Sequence, residues 1–584
     1  MLTEKSKVLR RLKARKVLLN DFFVFDTETG LRTKDGIQWC LRARPDAFIF
    51  GVVYGHNFTK VIHNVEDMRQ EFLLPRYKNK KVFAHNVIYD LGSVYGNIFD
   101  LDAAAIFNGK FISCTNGNCT FADSMNIFQT SVAKLGKMVG IDKPALGNDD
   151  MFSVAVGADE INRCTTDCVI VWEALYRIFE EVGNIKITQA SLSLTFFRSH
   201  FQKFDIEHNE NVKYFWESYY GGRTEAFKIG KTHAQVIDVN SMYPEAMRKC
   251  VFPNPKFLKR VENVSVAALK KIMFEGEGMA KMEVEHKKMW LGFLPVRKGG
   301  KLVFPVGCFS GSWNFHEIRF ALENDVIEIK KIFFVCYGER MESPFVEYVD
   351  TLYGRRLRSK DDFEKFRLKI FMNSLYGKFA QRITEETVYI KDYEAHSHVI
   401  DSYKRQGRFL KMSCFNATRK DCILTVTPPA HMDTSFTIPS FASYITSYAR
   451  VMLLKKLIEI KPLRPVYCDT DSIFYEVDGL EQSDMFIGGW KKENKVVTEI
   501  RGLKNYTFVD YDISQKEVKR IKGVPKNAVQ VKENEYRYEN LVKPKEALRR
   551  GILAGVLIER NKVIKNLYEK RVVSLEGETE PIIL

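Results

Sequence analysis

Several domains of mixed α/β and α+β character are the fold class this sequence predicts, and three observations carry the prediction. The chain has 584 residues, more than one hydrophobic core usually serves. Short apolar and β-branched runs are interleaved with a long stretch of 3.6-residue periodicity. Hydrophobic residues make up 45% and charged residues 28%, the ordinary balance of a folded chain. No apolar run reaches the roughly 18 residues of a membrane span, and no apolar signal-peptide core follows the start. Eleven scattered cysteines suit a reducing compartment. The net charge of +16 points to a polyanionic partner, because neutralising phosphates releases counterions.

The elements follow in order. Lys5, Lys7, Arg10, Arg11, Lys13, Arg15 and Lys16 crowd the start, and Val8, Leu12 and Leu19 fall on one helical face. This predicts a surface helix facing DNA; an organelle transit peptide would share its basic, amphipathic character. Apolar runs at 22–25, 48–54, 61–65 and 82–83 read as strands. Asn116-Gly117 predicts a hairpin between strands at 111–114 and 119–122, with Cys114 opposite Cys119. Residues 161–182 read as a helix. Cys164 and Cys168 lie one turn apart on it without a second ligand pair, so they read as packing. Residues 545–562 read as a helix with a basic rim. No repeat or low-complexity linker divides the chain, so its domains are expected to pack on one another.

Phe23-Val24-Phe25-Asp26-Thr27-Glu28 is an apolar strand ending in two acids at i and i+2, which point to one face. Their repulsion is relieved by a cation, and oxygen-only donors suit magnesium or manganese. Asp90 follows in His85-Asn86-Val87-Ile88-Tyr89-Asp90, and Asp167 in Cys164-Thr165-Thr166-Asp167. Four such acids can hold two ions, one activating water and one stabilising a leaving oxygen. The order Asp-x-Glu, Asn-x-x-Tyr-Asp, Cys-x-x-Asp resembles the three 3′–5′ exonuclease motifs of family B DNA polymerases. The resemblance implies that Asp26, Glu28, Asp90 and Asp167 are the metal ligands. It also implies that Asn86, Ser124 and Met125 contact the frayed primer end. One departure is Arg163, where that family usually has a tyrosine orienting the attacking water.

A second set lies further on. Val236-Ile237-Asp238 reads as a strand, with Asn240 or Ser241 placed to cap the following helix. Tyr467-Cys468-Asp469-Thr470-Asp471-Ser472 reads as a hairpin tip between apolar strands. Lys369, Asn373 and Tyr376 share a helical face, where a lysine can meet triphosphate and an aromatic ring a base pair. Asp-x-x-Ser-x-Tyr-Pro, Lys-x-x-x-Asn-Ser-x-Tyr-Gly and Tyr-x-Asp-Thr-Asp-Ser resemble polymerase motifs A, B and C of the same family, in the same order. By that resemblance Asp238, Val239 and Asp469 hold the catalytic metals and Asp471 supports the second site. Lys369 neutralises the incoming triphosphate beside Asn373 and Tyr376, and Tyr243 excludes a 2′-hydroxyl. Tyr219, Gly221 and Gly222 of the Tyr-x-Gly-Gly element contact template, and Lys504 and Tyr506 hold the primer.

The resemblance implies an RNase H-like exonuclease domain at 1–190, followed by a right-hand polymerase at 191–584. Its palm carries motifs A and C, its fingers lie at about 350–380 and its thumb at about 490–584, with insertions at about 250–345 and 382–435. It implies two Mg2+ or Mn2+ ions at each site, primer–template DNA and dNTPs as partners, and a monomer with no membrane association. The wording of motifs A and B is similar to the protein-primed branch. That branch implies strand displacement, a separate terminal protein as primer, a single-stranded DNA-binding protein as helper, and replication in the host cytoplasm. The exonuclease motifs begin near residue 20, so the terminal protein is expected on another chain. Two other readings stand beside this one: a nuclease whose second half only clamps DNA, and a non-catalytic replication factor. Intact Asp238, Asp469 and Lys369 oppose the first. Acids placed in a DNA groove oppose the second.

Overall fold

The computed structural model describes residues 7–98, 101, 103–107, 110–144, 152–382, 386–390, 392–416, 420–427, 434–479, 483–542, 546, 557–565 and 567–584. Its architecture is mixed α/β and α+β over several sheets, as expected.

The first large sheet is built on Phe22–Arg32. This strand pairs antiparallel with Phe48–Gly55 and parallel with Lys81–Ala84, which pairs parallel with Thr120–Asp123. The sheet continues through Lys110–Thr115 and Ala103–Phe107 into Glu386–Ile390, Asp421–Thr427 and Phe409–Asn416. Strands from the expected second insertion thus extend the sheet that carries Asp26. The helix Ala158–Val182 packs across it, with Trp172 stacked on Phe22 at 5.6 Å.

The second large sheet runs in the order Thr224–Ala226, Pro465–Asp469, Ser472–Tyr475, Gly230–Val239, Trp490–Gly502, Asn505–Asp510, Ser514–Ile521. The boundary expected at about 490 falls inside this sheet, because Trp490–Gly502 pairs directly with the Asp238 strand. Within 250–345 a separate four-stranded sheet is flanked by the helices Val266–Glu275 and Phe315–Glu323. The C-terminal residues return to the second sheet, where Arg571 and Arg223 enclose the fully buried Glu225.

Four expectations of local structure change. The basic start is not a helix: Lys7–Leu9 is a strand on Ile206–His208, and residues 10–18 are irregular. Pairing that buries Leu9 outweighs a weak helical stripe. Val65 opens a helix, Val65–Glu71, because Asn64 caps the amides of Glu66 and Asp67. Cys114 faces Phe121 rather than Cys119. Asn116 accepts from the amides of Asn118 and Cys119 at 3.1 and 2.9 Å, an Asx turn that widens the loop. Residues 557–562 lie in a strand, Leu557–Val563, while 545 and 547–556 fall outside the described residues.

Removing one partner of a buried ion pair strands the other charge. Arg223→Ala should destabilise the second sheet by about 3–5 kcal/mol, read as a lowered urea midpoint. Exposed Lys13→Ala should leave that midpoint unchanged.

Two carboxylate clusters as candidate active sites

The first cluster gathers where strand ends meet helices. Asp26 and Glu28 point to one face of Phe22–Arg32. Asp90 comes from the first turn of Val87–Tyr95 and accepts from the Thr27 amide at 3.1 Å and the Thr27 hydroxyl at 2.8 Å. Asp167 comes from Ala158–Val182, and its Oδ1 has no hydrogen-bond partner among the described residues. The ligand atoms of Asp26, Glu28 and Cys164 all lie within 4.8 Å of one another, and the Cys164 thiol donates to Asp26 Oδ2 at 3.5 Å.

Electrostatics show what such a cluster lacks. Burial, then the charges of Glu28 and Asp167, push Asp26 up to about 8. Burial also raises Glu28, and burial followed by the charge of Asp26 raises Asp90. Two basic groups oppose this. Arg163 acts on Glu28, and Lys143 pairs with Asp167. Lys143 was not singled out from the sequence; it lies 24 residues from Asp167 and carries no local signal. Arg163 thus places a positive charge beside the acids, at the position where the motif resemblance implies a tyrosine.

Around this cluster the expected DNA contacts divide. Met125 is exposed and Asn86 half-buried, both accessible. Ser124 is fully buried: its hydroxyl donates to the Ala84 carbonyl at 3.0 Å and bonds His85 Nδ1 at 2.8 Å. Its hydroxyl is engaged inside the protein, where it orients His85.

In the second cluster, Asp238 sits opposite Ser472 and Ser472 opposite Asp469, so one strand separates the two acids. Their backbones are therefore ~10 Å apart, and their side chains share one end of the sheet. Asp471 stands in the tight turn, where Thr470 adopts φ 63° and the Asp471 carbonyl accepts from the Val239 amide at 2.8 Å. Burial, then Asp471 and Glu493, push Asp238 up to about 7, while Lys495 and Lys369 act against this. Lys369 and Asn373 are exposed on Asp362–Ser374; Tyr376 begins the next helical turn and stacks on Tyr243 at 4.4 Å.

Asp469 accepts from Lys504 Nζ at 3.3 Å and from the Thr224 hydroxyl at 3.2 Å. Lys504 thus reaches the acid itself. The Tyr506 ring is buried against Tyr467 and Phe474. Neither Asn240 nor Ser241 caps the Met242–Lys249 helix through its side chain, since Asn240 donates to the Asp484 carbonyl at 2.6 Å and Ser241 makes no capping bond. The Tyr219–Gly222 loop is pinned by Arg450, which donates to the Tyr220 and Gly221 carbonyls at 2.8 and 3.0 Å while held by Glu317. Arg450, Glu317 and Glu493 escaped the sequence reading because their partners are distant in the chain.

With both clusters placed, the class of protein is defined. Residues 156–455, about half of the chain, match the family model described as DNA polymerase type B, organellar and viral, and the chain belongs to that family. A DNA-directed DNA polymerase of Enterobacteria phage PRD1 is 26% identical over 404 residues, covering 66% of each chain. A probable DNA polymerase of Neurospora intermedia is 28% identical over 271 residues, covering 45% of this chain and 27% of its own. The chain thus spans about two thirds or less of these curated relatives. The fold is that of Phi29 DNA polymerase, with a TM-score of 0.67 at 15% identity over 93% of this chain and all of the other. The Phi29 enzyme in complex with primer-template DNA and incoming nucleotide gives the same TM-score at 16% identity.

Two expected outcomes follow from these geometries. Because Asp26 holds a proton up to about 8 without a cation, Mg2+ binding at pH 7 should expel protons, and the release should fade above that pH as the acids ionise unaided. Calorimetry in buffers of unequal ionisation enthalpy, with the Asp26→Asn variant as control, measures this. A Cβ at Gly222 would meet Thr470 Cγ2 at 2.8 Å. Gly222→Ala should therefore slow primer extension about tenfold, the equivalent of 1–2 kcal/mol of displaced packing, and Thr470→Ser beside it should restore part of the rate.

Proposed function

We propose that this chain is a template-directed DNA polymerase whose first carboxylate cluster is a 3′–5′ proofreading exonuclease. The placement of Asp238 and Asp469 at one end of a single sheet, with Lys369 close enough to act on Asp238, carries the reading. Asp238 in one cluster, and Asp26, Glu28 and Asp90 in the other, are held above their ordinary range by burial and like charge and are donors short of positive charge. This fits divalent ions held by Asp238, Val239 and Asp469, and by Asp26, Glu28, Asp90 and Asp167. Bound there, such ions would supply Lewis acidity and charge neutralisation.

The chain's own residues do the rest. Lys369 neutralises the triphosphate, and the stacked Tyr243 and Tyr376 form a wall beside the incoming sugar and base. The primer 3′-hydroxyl attacks the α-phosphate, the bond to the β-phosphate breaks, and pyrophosphate leaves. Lys504 holds Asp469 in place in the free protein. At the first cluster, water attacks the terminal phosphodiester and the 3′-oxygen of the preceding nucleotide leaves. Asn86 and Met125 border the strand end, and Arg163 and Lys143 balance the acids.

The organellar and viral family supports a finer reading: protein priming from a separate terminal protein, strand displacement assisted by a single-stranded DNA-binding protein, and replication within the host cell. The exonuclease at 1–190, polymerase at 191–584 and insertions at about 250–345 and 382–435 are the division this reading uses. Asp469→Ala should reduce extension by about 10²–10³-fold or more and leave primer degradation intact, while Asp26→Ala should do the reverse. Gel assays of a labelled primer with and without dNTPs check both, and extension by Asp469→Ala would remove that residue from the site.

A further inference from the structure

The sequence groups Cys164 with Cys168 as packing, and the structure separates the two. The Cys168 thiol donates to the Val52 carbonyl at 3.7 Å, in the core between helix and sheet. Cys164, one turn earlier on Ala158–Val182, turns its thiol to the first carboxylate cluster instead. Both side chains are fully buried, so their neighbours are what distinguish them.

The neighbours of Cys164 are metal donors. Asp26 and Glu28 come from the strand on which the helix packs. One ligand atom from each, and the Cys164 sulfur, lie within 4.8 Å of one another. Among the described residues no second group of three such donors gathers as closely, and Asp90 and Asp167 stand outside this one. The cluster is therefore uneven: one side offers two carboxylates and a sulfur, the other the carboxylates of Asp90 and Asp167. Asp167 lies three residues beyond Cys164 on the same helix face. Its Oδ1 is buried without a hydrogen-bond partner among the described residues, a donor left over at the edge of the group.

The spacing fits an ion. Cys164 Sγ and Asp26 Oδ2 are 3.5 Å apart. Sulfur and oxygen donors at about 2.3 and 2.1 Å from one tetrahedral ion stand about 3.6 Å apart. A thiol already at that separation has little distance to move to become a ligand. Sulfur also changes which ion is held, since magnesium takes oxygen donors whereas thiolate favours zinc and ions like it. Three protein donors leave one position of the tetrahedron open, the pattern of a zinc site that acts on water.

We propose that Cys164 is a sulfur ligand of the first cluster, giving one of its two metal positions a preference for a thiophilic divalent ion of the zinc class over magnesium. On binding, the S–H bond breaks, a bond from sulfur to the ion forms and the proton leaves to solvent, with no change of oxidation state. Asp90 and Asp167, oxygen donors both, keep the other position for magnesium. The inference rests on the reading of this cluster as a metal site, and its test reads the metal rather than the reaction.

The test loads the full-length protein with equimolar Zn2+ under excess Mg2+, in a Cys308→Ser background that removes an exposed thiol. X-ray absorption at the zinc edge should show a sulfur neighbour at about 2.3 Å. Cys164→Ser should abolish that sulfur shell and leave Mg2+ binding, measured by calorimetry, unchanged. It should weaken Zn2+ binding by about 100-fold or more, since even the outer hydrogen-bond partners of a ligand are worth about 10–100-fold. Cys168→Ser should keep the sulfur shell. Zinc with only oxygen and nitrogen neighbours before Cys164 is changed overturns the proposal without recourse to any variant at that position, and so does a sulfur shell that survives Cys164→Ser. A Cys164-dependent sulfur shell in a protein that degrades no primer would leave the ligand in place and strike the exonuclease reading alone.

Discussion

Carboxylates brought within a few ångströms of one another and withdrawn from water repel, and the repulsion grows as the dielectric falls. That constraint organises both ends of this molecule. Asp26 and Glu28 share a strand face, Asp90 and Asp167 converge on them from two helices, and the assembly stands only with protons, cations or the opposing charges of Arg163 and Lys143. Asp238 meets the same constraint beside Asp471 and Glu493, with Lys369 and Lys495 opposing them. A fold does not collect acids this way for stability, since each raised carboxyl is a cost borne by the surrounding packing.

The supports of the two clusters differ, and the difference has a chemical consequence. The first is braced by hydrogen bonds within one sheet and its helices: Ser93 to Thr27, then Thr27 to Asp90. The second is braced across the chain. Thr224 and Lys504 reach Asp469, Asn240 ties to the Asp484 loop, and Arg450 fixes the Tyr219–Gly222 loop from the long helix Pro439–Glu459. A site whose braces come from many segments couples its geometry to the placement of each of them. The sheet shared between the Asp26 strand and the strands of 386–427 further joins the two halves mechanically.

Much of this was legible in the sequence where chemistry and local geometry coincide. Acids at the end of an apolar strand, such as Asp26 and Asp238, or at a hairpin tip, such as Asp469, are visible because the alternation fixes their face. Lys369 and Tyr376 were visible for the corresponding helical reason. Residues that act across the fold left no such trace: Lys143, Arg450 and Glu493 look like ordinary surface charges in the sequence. Burial is equally hard to read from the sequence: the Ser124 hydroxyl and the Tyr506 ring sit in motif positions and are packed inside the protein. The basic N-terminal stretch read as a helix because its weak apolar period was weighed without the strand at Ile206–His208 that pairs with it.

The central claim is that one chain both builds and trims DNA from these two clusters. The most direct measurement places the purified protein on a singly primed single-stranded circle with Mg2+ and reads product length with and without dNTPs. The account predicts extension around and beyond the circle when dNTPs are present, and shortening of the primer when they are absent. Primer shortening under both conditions, with no extended product, would contradict it.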